Sequence, residues 1–325
     1  MNKEILITGG AGYIGANIVD LLIKKKYKVV VIDNLSTGNK SLIHPDAIFY
    51  NVDISDKAKL EEIFRMHIID TVIHLAALSS VGESAKKPKK YFKNNVKGGL
   101  NLLEAMVENE CKKIIFSSSA AVYGNPQYVP INEDHPINPI SIYGETKATF
   151  EEKLKLFDKQ HDLKFLSLRY FNAGGSSDDN RFGEIHIPET HLIPSILKLA
   201  AKNREISIFG DDYDTKDGTC IRDYIHVVDI AEAHILGIEY LGNNAQSEMI
   251  NLGTEKGYSV KEIINLCSKT LEKSVKSKIE PRRKGDPPIL IASCGKAKKL
   301  LNWEHKKTIH HIIESAWKFE QKLSI

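Results

Sequence analysis

The stretch TGGAGYIG, Thr8 to Gly15, decides the fold. It follows the apolar run EILIT and leads into Ile14, Ile18, Leu21 and Leu22, which share one face at helical spacing. Strand, glycine turn and helix in that order make a βα unit. Gly10, Gly12 and Gly15 fit G-x-G-x-x-G, and Gly9, Gly12 and Gly15 equally fit G-x-x-G-x-x-G, in the context that a dinucleotide fingerprint requires. Without side chains there, backbone amides can approach a pyrophosphate at the helix N-terminus, where the dipole favours negative charge. A bare tight turn uses the same glycines, so a second signal is needed.

That signal is Asp33, which closes the next apolar run, KVVVID, 18 positions beyond Gly15. A carboxylate at this point accepts hydrogen bonds from a ribose diol and repels a 2′-phosphate, so it selects NAD over NADP. Glycine turn, helix, strand and acid in register together identify an NAD site.

Further along, IFYNVDI, DTVIHLAA, KKIIFSSS and KFLSLRYFN are continuously apolar and rich in β-branched residues, as strands buried on both faces are. Helical stripes such as KLEEIF and LNLLEAM lie between them. Repeated units of this kind predict an α/β fold with a doubly wound, parallel, Rossmann-type sheet over residues 1–172. After Asn172 the rhythm breaks into the loop-like AGGSSDDNRFGEIHIP. Residues 173–325 then read as a smaller mixed α/β lobe: a helix near THLIPSILKLAAKN, a strand ISIFG, a helix near VVDIAEAHILGIEYL, a strand MINLGT and two further helices. The chain is free to cross between the lobes, and ligands belong in the cleft at the sheet's carboxyl edge.

The bulk composition narrows the function. Of 325 residues, 42% are hydrophobic and 27% charged, which excludes a disordered chain, and a net charge of +3 is too small to point to a nucleic-acid partner. Cys111, Cys220, Cys267 and Cys294 show no metal or redox spacing and read as reduced thiols. MNKE passes straight into ILI without a signal region, and no apolar run reaches the roughly 18 residues of a membrane span. A cytoplasmic protein with no membrane contact is expected, and no metal site.

The chemistry sits in IYGETK, where Tyr143 and Lys147 share a helix face one turn apart. A free tyrosine titrates near ~10, and bringing it toward ~7 needs roughly 4 kcal/mol of differential stabilisation of the phenolate. A lysine ammonium one turn away and a positive nicotinamide ring can supply it. Ser117, Ser118 and Ser119 end the strand KKIIF; Ser119 is best placed to reach the cleft and share a substrate hydroxyl with Tyr143, because serine both donates and accepts.

GGAGYIG, DNLSTG, HLAA, NNV, SSSAAVYG and YGETK, then RYFN, PETHLIP, FGDDYDTKDGTCIRDYIHV, NLGT and PRRKGD, cover nearly the whole chain. In them the sequence resembles the extended short-chain dehydrogenase/reductases, and within these the members that epimerise UDP-hexoses at C4. The resemblance implies Tyr143 as catalytic base, Lys147 as its electrostatic partner and Ser119 as its hydrogen-bonding helper. It implies cofactor contacts from Gly9, Gly12, Tyr13, Ile14, Gly15, Asp33, Asn34, Leu35, Ser36, Thr37, Gly38, Asp53, Ile54, Leu75, Ala76, Ala77, Ser79, Asn94 and Phe171, beside Ser119, Tyr143 and Lys147. For the UDP-sugar it implies Asn172, His191, Leu192, Arg222, Arg283, Asp286 and Leu290, along with Ser119 and Tyr143; two arginines can clamp a diphosphate bidentately while Asp286 takes a ribose hydroxyl. It also implies a homodimer through helices near 90–109 and 143–160.

Two departures matter. Ser79 stands where some members have a lysine, which removes a positive contact to the cofactor, and Leu290 stands where some have a tyrosine, which bears on the sugar accepted. The expected activity is reversible 4-epimerisation of UDP-galactose and UDP-glucose through a 4-keto sugar, with N-acetylated UDP-hexosamines as further candidates. Epimerases of UDP-uronates or UDP-pentoses are close alternatives. A nucleotide-sugar 4,6-dehydratase is disfavoured, since its Asp-Glu pair is replaced by Ala120 and Ala121, and a non-catalytic NAD-binding protein is disfavoured by the retained Tyr143 and Lys147.

Overall fold

The computed structural model describes residues 4–243, 246–283 and 285–323, so Lys284 of PRRKGD lies outside the described residues. Its early strands are β1 Glu4–Thr8, β2 Lys28–Ile32, β3 Ile48–Tyr50, β4 Ile69–His74, β5 Lys113–Ser119 and β6 Lys164–Tyr170. Helices Tyr13–Lys24, Lys57–Met66, Gly99–Glu108 and Ile142–His161 connect them, except that the β2–β3 link carries only a 3₁₀ turn. The later strands are β7 Asn172–Gly174, β8 Ile206–Phe209, β9 Ile221–His226, β10 Glu248–Leu252, β11 Gly257–Ser259, β12 Ser277–Glu280 and β13 Ile289–Leu290.

Seven strands form one parallel sheet in the order β10-β6-β5-β4-β1-β2-β3. Ile5, Ile7, Ile73 and Ile115 point to one face, where Ile18 and Leu22 of the helix Tyr13–Lys24 and Ile230 of the helix Val227–Gly242 cover them. Leu6, Val30, Val72 and Ile114 point to the other, under Leu60, Leu102 and Phe150. Each such aliphatic side chain contributes roughly 1.5–3 kcal/mol when fully buried, which explains strands that are apolar without alternation.

The chain runs outward from β1 to β3, then returns to β4, so strand order reverses between β1 and β4. Open α/β sheets form a ligand crevice at such a point.

After residue 172 the chain does not stay in one lobe. The helix Val227–Gly242 packs on the main sheet and β10 extends it, pairing Glu248–Leu252 with Leu166–Tyr170. KFLSLRYFN divides at Phe171, because Asn172–Gly174 leaves the sheet to pair with β9. β9 also pairs with β11 and β13, while β8 pairs with β12. Three later helices, Val260–Thr270, Gly295–Leu301 and Ile309–Leu323, replace the expected two. Helices Leu192–Ala201, Val260–Thr270 and Ile309–Leu323 close a separate core around Ile196, Ile263 and Ile312.

Candidate active site

The glycine turn leaves β1 at the crevice. Gly9 has φ +79° and packs against the backbone of Ala76, past the end of β4. At Gly12 a Cβ would meet only the Gly9 carbonyl, at 3.3 Å, so the space in front of this residue is open. Gly12 is also the N-cap of the helix Tyr13–Lys24, which has no side-chain cap and no acidic residue in its first turn. An open approach to uncapped amide groups fits an anionic pyrophosphate.

Asp33 lies just past β2, buried, with its two oxygens fixed by backbone donors: Ala11 N–H to Oδ2 at 3.0 Å and Leu35 N–H to Oδ1 at 2.8 Å. Burial raises its pKa, and the two amides oppose that. Leu35 takes a left-handed φ of +56° to make its contact, Ser36 N–H caps the Asn34 side chain, Ser36 and Thr37 are exposed, and Gly38 lies against the Asp33 carboxylate. Asn34 donates to Asp53 Oδ2 at 2.7 Å. Burial works against the Asp53 anion, but Ser55, Asn34 and Lys93 together hold its pKa below the usual value. Ile54 is buried against Gly98.

On the β4 side, the Leu75 and Ala76 amides donate to the Thr8 carbonyl, Ala77 is half-buried and Ser79 is exposed. Asn94 donates to Asn95, on the π-helical segment Phe92–Gly98. Three of the expected cofactor residues are occupied within the protein: the Tyr13 hydroxyl donates to Gly175 O at 2.6 Å, and Ile14 and Phe171 pack into hydrophobic clusters.

Ser141 caps the helix Ile142–His161, accepting from Gly144 N–H at 3.1 Å, and puts Tyr143 and Lys147 on its first turns. Gly144 brings this helix against the turn after β5: a Cβ there would lie 2.4 Å from Ala121 O. That close approach brings Tyr143 to Ser119. Burial holds the Tyr143 pKa above the usual tyrosine value rather than below it, and a hydrogen bond with Ser119 opposes that rise. Lys147 is buried, its ammonium donating to Ser117 O at 2.6 Å and lying 5.8 Å from the centre of the Tyr143 ring. Burial lowers the lysine pKa to about 7 against the opposing charge of Glu151.

The substrate candidates divide. Arg222 on β9 faces Asp286 at 3.6 Å and pairs in register with Leu290, which packs against the small core that contains Val122, Ile131 and Ala292 among others. Asn172 opens β7 and pairs with Tyr224 of β9. Arg283 lies over the Phe209 ring at 3.8 Å, so the two arginines are engaged separately. His191 faces Glu184 and Glu189, which raise its pKa to about 10 against the effect of burial. Leu192 begins the next helix.

Several contributors were not singled out from the sequence. Glu151 accepts from Ser118, Ser167 and Arg169, and Arg169 continues through Tyr123 to Asn251. A signal existed: Glu151 follows Lys147 by one helical turn, and Arg169 interrupts an apolar strand. His74 bonds to Thr8 at 2.7 Å and stacks on Phe116, and burial together with Lys147 lowers its pKa to about 3.

The family profile described as "NAD dependent epimerase/dehydratase family" matches residues 5–253. The UDP-glucose 4-epimerase of Halalkalibacterium halodurans is 48% identical over 320 residues, 98% of this chain and 96% of that protein. The structure of the Brucella ovis UDP-glucose 4-epimerase in complex with NAD superposes with a TM-score of 0.94 at 42% identity, covering 98% of each chain. That of the Bifidobacterium longum UDP-glucose 4-epimerase in complex with NAD+ and UDP gives a TM-score of 0.93 at 36% identity, again covering 98% of each.

Proposed function

The chain belongs to the NAD dependent epimerase/dehydratase family, and we propose that within it the protein interconverts UDP-galactose and UDP-glucose by inverting C4. The observation that carries this reading is Ser119, Tyr143 and Lys147 converging beside an NAD-type glycine turn, with alanines at 120 and 121 where dehydration would need an acid and a base. NAD, when bound, supplies the hydride acceptor that takes hydrogen from C4 and returns it to the opposite face of the sugar.

Gly9, Gly12 and Gly15 would hold its pyrophosphate, Asp33 a ribose diol and Asp53 with Asn34 the adenine side. Tyr143 removes the proton of the 4-hydroxyl as C4 is oxidised, and returns it when the 4-keto sugar has turned over. Ser119 holds the same oxygen and favours the ionised phenol. Lys147, with a pKa of about 7, carries substantial positive charge at neutral pH and stabilises the phenolate across the shared helix face. Arg222, Asp286 and Asn172 line the uridine diphosphate side. Incubation of the purified protein with UDP-galactose, followed by separation of products, should yield UDP-glucose; no conversion after NAD is added would end this reading.

Leu290 supports a wider range that includes N-acetylated UDP-hexosamines, because a leucine fills less space than a tyrosine at the edge of the cluster it packs against. A homodimer through the helices Gly99–Glu108 and Ile142–His161 is supported by the exposed Leu156 on the second of them, and sedimentation tests it. The cytoplasm is the expected compartment: the four cysteines are free thiols, and no helix among the described residues is long and apolar enough to cross a membrane.

A further inference from the structure

Between β7 and the helix Leu192–Ala201, the loop reads Glu184-Ile-His186-Ile-Pro-Glu189-Thr-His191. One coordinating atom from each of Glu184, His186, Glu189 and His191 lies within 4.8 Å of the other three. His186 Nδ1 is 2.9 Å from Glu184 Oε1; His191 Nδ1 faces that same oxygen and is 3.6 Å from Glu189 Oε1. Both imidazoles therefore turn Nδ1 toward one point, with a carboxylate on either side.

The Glu184 side chain is buried, and among the described residues its ion-pair partners are the two imidazoles alone. Glu189 meets Lys198 at 3.0 Å, through its other oxygen. The two imidazoles crowd onto one acceptor atom, Glu184 Oε1. A divalent cation at the centre would compensate both carboxylates and use both Nδ1 lone pairs.

The spacing suits a particular class of ion. Tetrahedral bonds of about 2.0–2.1 Å place ligand atoms roughly 3.4 Å apart. That value lies between the 2.9 Å of the His186–Glu184 pair and the 4.8 Å span of the cluster, so closure needs only small side-chain movements. Two imidazole nitrogens with two carboxylate oxygens favour zinc and its transition-metal neighbours over magnesium or calcium.

We propose that Glu184, His186, Glu189 and His191 bind one zinc-class divalent ion. Four protein ligands leave no open position for a substrate, so the ion is structural. It fixes the loop that leads into Leu192 and the helix beyond, and it takes no part in the transfer at C4. His191 then serves as a metal ligand rather than as a contact to the UDP-sugar.

The test uses untagged full-length protein, stripped with a chelator and exchanged into metal-free buffer, without any sugar nucleotide. Titration with Zn2+ should give one ion per chain with a Kd at or below ~1 μM, a conservative figure for a structural site. Co2+ should produce the visible bands of a tetrahedral centre. Glu184→Gln and His186→Ala should each weaken zinc binding at least ~10-fold. If Glu184→Gln does not fold, His186→Ala at a partly exposed ring carries the same comparison. No saturable zinc binding below ~100 μM, or binding unchanged in His186→Ala, overturns the proposal, and neither result depends on epimerase activity.

Discussion

Glu151 and Arg169 meet behind the catalytic face through two parallel hydrogen bonds, Nε to Oε1 at 2.9 Å and Nη2 to Oε2 at 2.7 Å. Both residues are buried. Ser118 of β5 and Ser167 of β6 also donate to Oε1, at 2.7 and 2.9 Å. One turn away on the same helix, Lys147 feels this carboxylate as the charge that resists its loss of a proton. A single acid thus joins two strands to the helix and supports the ammonium beside Tyr143.

Replacing it with glutamine should therefore do two separable things. Glu151→Gln leaves the Arg169 charge buried without its partner, a loss of about 3–5 kcal/mol by denaturant unfolding. It also removes the influence that raises the Lys147 pKa, so the lysine loses its proton at lower pH and the alkaline limb of kcat/KM should move toward acid. A stability loss with an unmoved pH profile would make Glu151 a structural residue only.

Tyr143→Phe should lower kcat at least ~100-fold while the NAD content and the Kd for UDP change little. Ser119→Ala keeps the phenol but removes the hydrogen bond that favours its ionised form, so its loss should be smaller and its optimum shifted to higher pH. Near wild-type turnover in Tyr143→Phe excludes it as the base.

Asp33 offers the ribose a carboxylate already oriented by Ala11 and Leu35. Asp33→Gly should weaken NAD binding at least ~10-fold, the scale of one hydrogen bond to a charged group, and should narrow the preference over NADP. Equilibrium binding of both dinucleotides checks this, and an unchanged ratio would contradict it.

Acid should destabilise the fold through its buried histidines. Burial lowers the pKa of His74 to about 3, and of His226 and His234 to about 4, against about 6.5 in the unfolded chain. The folded state then binds fewer protons below pH 6.5, so the stability contributed by each group is complete at neutral pH. It is lost as pH falls from about 6.5 toward the folded pKa, at up to about 1.4 kcal/mol per pH unit for each. Because carboxylates also titrate there, the clean measurement is differential. His234→Gln should reduce the slope of unfolding free energy between pH 6.5 and 4.5 by about that amount, and parallel curves would count against it.

Leu290 should decide whether a 2-acetamido group is tolerated. Tyrosine there would overpack the space that Leu290 occupies at the edge of its cluster at a cost of roughly 1–3 kcal/mol, about 5- to 150-fold in rate. Wild type should accept both UDP-galactose and UDP-N-acetylgalactosamine, and Leu290→Tyr should lose the second selectively. A wild type that ignores the acetylated sugar, or a tyrosine variant that handles both alike, means that Leu290 packs the lobe without gating the pocket.

What the sequence determined by itself is local. The turn from Thr8 to Gly15, the acid after the second strand and the four-residue step from Tyr143 to Lys147 follow from backbone geometry over a few residues, and the continuously apolar strands demand burial on both faces. Only the tertiary structure decided what meets across the chain. The return of β10 to the edge of the main sheet, the joining of Glu151 to Arg169, and the turning of His191 toward Glu184 and Glu189 depend on which surfaces pack together. Local spacing cannot specify such contacts, because a buried charge finds its partner wherever packing and desolvation leave one within reach.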